Sequence, residues 1–194
     1  MSLDLEKHLV FYGAYHNDKI NQGIHMVCVP IILGSGFWVA ANSPTIIPLP
    51  ACLTVTNLQL NLCTLGSLIW GGLYVLLEPV AGTALALLCV GSAAAGNYAY
   101  AHYDAYTLTT YALAAHIVCW ILQFVGHGKF ERRAPALFDS LFQAIFLAPL
   151  FVWLKLLFAF GYRQELQGRV DRDVRKAVAK YRMSRNATAN GTAK

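Results

Sequence analysis

The chain has 194 residues, the length of one ordinary domain, but its composition excludes an ordinary water-soluble protein. Hydrophobic residues make up 57% and charged residues 13%, against about 45–50% and about 25% in typical soluble proteins. None of the 15 lysines and arginines lies between Ile20 and Gly128, which indicates a membrane-embedded segment in the lipid bilayer. The net charge of +5 reflects basic residues after Gly161. A cytosolic tail near anionic lipid explains them better than a nucleic-acid site, so no nucleic-acid partner is expected.

Apolar runs along the chain predict a series of helices. Residues 2–15 alternate apolar and charged side chains, which predicts a short amphipathic helix on the membrane surface or capping the bundle. Four longer apolar runs then predict transmembrane helices. These four runs cover about 22–41, 58–77, 80–100 and 107–126.

The last apolar stretch, residues 135–160, is interrupted by Asp139, Pro149 and Lys155. It either spans the membrane or forms a broken, re-entrant or interfacial helix pair. The predicted fold class is therefore all-α: a polytopic helical membrane protein with about four transmembrane helices and this broken C-terminal segment. We expect one integral-membrane domain over 1–162 and a basic, partly disordered cytosolic tail over 163–194.

Charge also predicts the topology. After four spans, the loop 127–133 returns to the side of the N-terminus, and it carries Lys129, Arg132 and Arg133. The excess of basic residues in cytosolic loops places this loop and the N-terminus in the cytosol. The tail is basic as well, so we favour a cytosolic C-terminus and a stretch 135–160 that does not cross fully.

Four polar side chains share one face of the fourth predicted span. Their spacings are four, three and four residues, so at about 100° per residue they form one narrow stripe. We expect this stripe to face the bundle interior, because a polar group left in lipid is costly and usually functional. The four residues are His116, Trp120, Gln123 and His127.

The spacing leaves several kinds of site open. On a straight helix His116 and His127 are about 16 Å apart, at about 1.5 Å per residue. One metal can bind both only if the helix ends before Gly126 and the loop folds back. On the first span, Asn21 and His25 are four residues apart. The alternatives are histidines that only stabilise packing, or a bis-histidine haem between His25 and His116.

Two common metal-site classes are excluded. The chain contains no HExxH motif, which excludes a zincin. No two of its six histidines are closer than eight residues, whereas membrane di-iron desaturases need closely spaced histidine boxes.

Two segments carry a family resemblance: FYGAYHNDKINQGIHMVCVPIILGS and HIVCWILQFVGHGKFERRAPALFDSLFQAIFLAPLF. They resemble the Mpo1-like family (DUF962) closely over about 11–36 and 116–151. The resemblance implies an iron(II)-dependent dioxygenase of the endoplasmic reticulum membrane. Such an enzyme uses dioxygen to remove one carbon from a 2-hydroxy fatty acid, in the α-oxidation that belongs to phytosphingosine breakdown.

The resemblance also implies roles for individual residues. It assigns the Fe(2+) ligands to His16, His25, His116 and His127. The catalytic group matched to the family's motif consists of Asn21, Gln123 and Glu131, and Asp139 matches the motif too.

The implied substrate fits these residues chemically. Imidazole is a suitable ligand for iron(II), and a 2-hydroxy carboxylate can chelate the ion. We expect Lys129, Arg132 and Arg133 to attract the carboxylate, and Trp120 with Phe124 to contact the acyl chain. The alternative function is a non-catalytic membrane protein that binds lipid or haem.

Overall fold

The protein is described by a computed structural model that covers residues 4–135, 141 and 143–191. Over these residues it is helical, apart from loops and one isolated β-bridge between Ile47 and Leu60. Asp139 lies outside the described residues. The helices are α1 Leu5–Tyr15, α2 Lys19–Ala41, α3 Leu62–Leu77, α4 Pro79–His102, α5 Ala105–Val125, α6 Ala148–Ala159 and α7 Gln164–Gly191.

Short polar side chains define where several helices begin. Asp18 caps α2 by accepting from the amides of Ile20 and Asn21. Asn61 caps α3 by accepting from the amide of Thr64. Such caps satisfy amide groups that have no partner within the helix. The cap at Asn61 explains why α3 begins four residues after the predicted start of the second span.

Three helices of the described chain are long and apolar enough to cross a membrane: Lys19–Ala41, Pro79–His102 and Ala105–Glu131. A fourth candidate is the pair Ala144–Ala159 and Gln164–Arg185, which is bent by 118°. At about 1.5 Å per residue, α3 is about 24 Å long and falls short of the roughly 30 Å hydrocarbon core. These features confirm the all-α membrane fold. The observed bend lies at 160–163 and not within the stretch 135–160, where the sequence predicts the break, because Pro149 stands in the first turn of α6 and Lys155 continues that helix.

The helices pack mainly as two antiparallel pairs. α2 packs along α5, and α3 packs along α4. The α3–α4 turn is so tight that a Cβ at Gly82 would collide with the carbonyl of Tyr74, and the turn therefore requires glycine at this position. Glu78 in this turn accepts from Tyr162 and Arg163, each at 3.0 Å, and so ties the pair to the α6–α7 turn.

The basic tail forms α7, which the sequence analysis does not anticipate. Leu166, Val170 and Val174 recur every four residues and make one apolar face that packs against α1. An ion pair of 3.1 Å between Arg169 and Glu6 joins the two helices at the surface. The division into a membrane domain and a separate tail stays a prediction.

Candidate metal centre

Three histidines from different elements meet at one end of the bundle. His16 caps the C-terminus of α1, His25 lies on the second turn of α2, and His127 follows α5. All three are buried, and one ring nitrogen of each lies within 4.8 Å of the others. The ring centroids are 4.4 to 5.0 Å apart. This convergence is close enough for a single metal ion.

Backbone carbonyls orient two of the rings. Nδ1 of His16 lies 2.8 Å from the carbonyl oxygen of Tyr12, and Nδ1 of His25 lies 2.9 Å from that of Asn21. A carbonyl oxygen can only accept, so each Nδ1 carries the hydrogen and each Nε2 keeps its lone pair. Metal-bound histidines in proteins are typically oriented in this way.

The third ring carries an unsatisfied polar atom. Nδ1 of His127 is buried and has no hydrogen-bond partner among the described residues. Leaving such an atom unpaired costs free energy, and a bound metal close to the three rings would offset part of that cost. The three residues therefore fit a metal. An all-imidazole set suits iron(II), as it suits zinc, copper and nickel.

The protonation state of His16 also suits metal binding. This residue lies in the connection between α1 and α2. Its burial lowers its pKa well below the usual range of histidine, and the nearby His25 and His127 lower the pKa further. His16 is therefore neutral at pH 7, the form in which imidazole binds metals.

The end of α5 brings His127 to the site. The regular helix ends at Val125, and Gly126–Glu131 forms a wider π-helical turn. A Cβ at Gly126 would lie 2.5 Å from Oδ1 of Asn21, so any other residue here would force the buried Asn21 side chain to move, and glycine lets α5 approach α2 this closely. Because the α-helix ends before His127, this ring turns toward α1 and α2.

Glu131 holds the α1–α2 connection against the end of α5. Its carboxylate accepts from the backbone amides of Asn17 and Asp18, at 2.9 to 3.1 Å. It also accepts from Nδ2 of Asn21 at 3.1 Å. Glu131 and Asn21, both expected to be catalytic, thus lie beside the three histidines. Their hydrogen bonds join the elements that carry His16, His25 and His127.

His116, expected as a fourth ligand, lies outside this group. Trp120 donates to its Nε2 at 3.0 Å, and its Nδ1 donates to Oγ of Ser35 at 3.0 Å. The Ser35 hydroxyl in turn donates to the carbonyl of Ile32. Both ring nitrogens thus have partners, which argues against a haem ligated by His25 and His116. His116 and His127 lie on the same side of α5, as predicted, but at different depths in the bundle.

Two neighbouring cavities lie at this end of the bundle, and the smaller one adjoins the three histidines. The smaller, about 40 Å³, is bordered by the three rings together with Phe11, Tyr12 and Phe124. The larger, about 360 Å³, lies between α2, α3 and α5. They share four lining residues, Trp120, Gln123, Ala144 and Ala148. Trp120 and Gln123 thus stand between the metal centre and a mainly apolar space, consistent with the contact expected for Trp120.

The basic residues expected to attract substrate line neither of these cavities. Lys129 is exposed and lies over the ring of Phe130. Arg132 is exposed, and its carbonyl accepts from Arg185 of α7. The guanidinium of Arg133 is stacked between two aromatic rings and donates to a backbone carbonyl. Its partners are the rings of Tyr15 and Tyr181, 3.4 and 4.1 Å away, and the carbonyl of Ala14.

Tyr12 also belongs to this site, although it is absent from the residues predicted from the sequence. Its carbonyl orients His16, and its ring stacks on that histidine with centroids 3.9 Å apart. The sequence does contain a signal for this role. Tyr12 precedes His16 by four residues, just as Asn21 precedes His25, and in both pairs the backbone carbonyl of the first residue orients the histidine ring.

Comparisons with known proteins agree with this architecture. The family model described as "2-hydroxy-palmitic acid dioxygenase Mpo1-like" matches residues 2–160. One curated relative, the 2-hydroxy-palmitic acid dioxygenase MPO1 of Saccharomyces cerevisiae, is 33% identical over 183 residues, which cover 94% of this chain and 97% of the relative. No solved structure matches the chain significantly. A match over most of the chain places this protein in the Mpo1-like family.

Proposed function

We propose that the protein is an iron(II)-dependent dioxygenase that shortens 2-hydroxy fatty acids by one carbon, in the α-oxidation that belongs to phytosphingosine breakdown. The observation that carries the proposal is the buried group of His16, His25 and His127, which opens toward an apolar cavity. The name of the yeast relative supports the substrate class.

The three histidines are the proposed ligands. When bound, iron(II) would supply a Lewis acid for the hydroxyl and carboxylate of the substrate and electrons for reaction with dioxygen. The carbonyls of Tyr12 and Asn21 keep two rings in the ligating tautomer. Phe11 and Phe124 add apolar surface to the cavity beside the three histidines. The substrate itself is oxidised, so no 2-oxo acid co-substrate is required.

We assign positioning roles to the residues around the ligands. Glu131 and Asn21 hold the α1–α2 connection in place, and His116 orients the indole of Trp120. The exposed Lys129 and Arg132 raise the local concentration of anionic substrate at the membrane surface. We place this face in the cytosol and the protein in the endoplasmic reticulum membrane, with both termini cytosolic.

The direct test is to incubate 2-hydroxypalmitate with the purified protein and iron(II) in air. We expect an acid one carbon shorter in the mass spectrum. Chelation of the metal should abolish this product, and added iron(II) should restore it. Zinc(II) should occupy the site without restoring turnover, because it has no redox chemistry. Unchanged substrate in folded, iron-loaded protein would contradict the proposal.

His116→Ala separates a positioning role from a ligand role. We expect the variant to keep its iron but to turn over about tenfold more slowly, because Trp120 loses a half-buried acceptor worth on the order of 1 kcal/mol. Iron content and kcat are measured on the same sample. His102→Ala is the control, since that ring is exposed and its one hydrogen bond among the described residues is to the carbonyl of Tyr98. Loss of iron from His116→Ala would instead identify His116 as a ligand.

A further inference from the structure

The larger cavity extends away from the metal centre along α2. Its walls include residues of α2 from Val29 to Ala40, of α3 from Leu62 to Trp70, and of α5 from His116 to Gln123. The polar nitrogens of His116 are occupied by Ser35 and Trp120, so its ring presents carbon atoms to the cavity. The space is therefore suited to a hydrocarbon chain.

The cavity also has a suitable length. At about 1.5 Å per residue, α2 descends roughly 16 Å from His25 to Gly36 and roughly 22 Å to Ala40. The hydrocarbon core of a bilayer is roughly 30 Å thick, and the acyl chains of each leaflet fill half of it. The length of an acyl chain is therefore similar to the distance along α2 from His25 to Gly36. A long fatty acid can thus lie with one end at the histidines and the other near the far end of α2.

One polar atom lies at the junction of the two cavities. Nε2 of Gln123 is buried and has no hydrogen-bond partner among the described residues, although Gln123 lines both cavities. An amide donor in this position can bind an oxygen of a polar head group whose hydrocarbon chain continues into the larger cavity. The junction therefore indicates the orientation of an amphiphilic ligand.

Two glycines keep the far part of the larger cavity open. A Cβ at Gly66 would lie 3.5 Å from Cε1 of Phe37, and one at Gly36 would lie 3.7 Å from Cε1 of His116. Both are ordinary contact distances, so a side chain can be attached at either position without a backbone collision. Its remaining atoms would then occupy space that the cavity now leaves empty.

We propose that the larger cavity holds the acyl chain of the substrate and that Gly36 and Gly66 set the longest chain accepted. This proposal rests on the proposed function for the identity of the head group. The hydroxy-carboxylate lies at the three histidines and Gln123, and the terminal methyl group lies near the two glycines.

Gly66→Leu tests the chain-length limit. We expect kcat/KM to fall about tenfold for 2-hydroxypalmitate and less than about twofold for 2-hydroxylaurate, because the added side chain displaces only the last methylene groups of the longer acid. The matched control is Gly72→Leu on the same helix, where a Cβ meets no atom within 4 Å. An equal fall for both acids, or no change for either, would overturn the proposal.

A second measurement does not require turnover. A 2-hydroxy fatty acid with a photoreactive diazirine near its methyl end is bound to the protein in nanodiscs and irradiated. Labels on residues 36–40 of α2 or 62–66 of α3, reduced by excess 2-hydroxypalmitate, support the proposal. Labels only on lipid-facing residues overturn it. If the cavity is labelled but no shortened acid forms, the acyl site stands and the proposed reaction fails.

Discussion

Alanine in place of His16, His25 or His127 is expected to remove stoichiometric iron from the purified protein and to abolish turnover of 2-hydroxypalmitate. Each substitution removes one of three imidazoles whose nitrogens lie within 4.8 Å of one another. With only two imidazoles left, the affinity for iron falls, because no other described His, Cys, Asp or Glu belongs to the group. Iron is measured by mass spectrometry of the protein, and turnover by the shortened acid.

His116→Ala and His102→Ala provide the comparison, since both should retain iron. All five variants are extracted from membranes and compared by size-exclusion chromatography, which shows that the proteins without iron are still folded. If any one of the three ligand variants kept its full iron content and activity, the three-histidine site would be wrong.

Glu131→Ala is expected to lower the affinity for iron about 10- to 100-fold, the usual effect of losing a group that orients metal ligands. The substitution leaves the amides of Asn17 and Asp18 and the side chain of Asn21 without their shared acceptor. The connection that carries His16 then separates more easily from the turn that carries His127. Excess iron should restore much of the turnover, since the ligands themselves are intact.

Competition with a chelator measures this affinity. Glu131→Gln should recover part of it, because the amide oxygen still accepts a hydrogen bond but carries no charge. Asp173→Ala serves as the control, since that exposed carboxylate pairs with Lys176 in α7 and with no other basic residue in the described part of the chain. Normal iron affinity with abolished turnover in Glu131→Ala would show instead that Glu131 acts in the reaction itself.

Much of the fold can be predicted because the apolar runs of a membrane helix are nearly continuous in the sequence. The helix ends are predicted less well, since they depend on local caps such as Asn61. Helix α7 escapes prediction for another reason. The composition of the tail is strongly basic, and its apolar face of Leu166, Val170 and Val174 becomes stable only against α1.

The site could be predicted only in part. Helical periodicity places His116 and His127 on one face but gives no information about partners on other helices. The resemblance to the family supplies His16 and His25 as candidates, whereas their distance from His127 depends on the close approach allowed by Gly126. The charge of Arg133 suggests a residue that attracts substrate. In the structure two tyrosine rings enclose its guanidinium, and the sequence does not reveal this contact.

The three proposed ligands lie far apart in the sequence, and this separation affects the order in which the site is assembled. His16 and His25 leave the ribosome well before His127, and Glu131 follows later still. Until α5 has entered the membrane, the α1–α2 connection has neither the third imidazole nor the carboxylate that fastens it. If the three histidines bind iron as proposed, its capture is a late step of maturation, and a nascent chain that stops within α5 carries no complete centre.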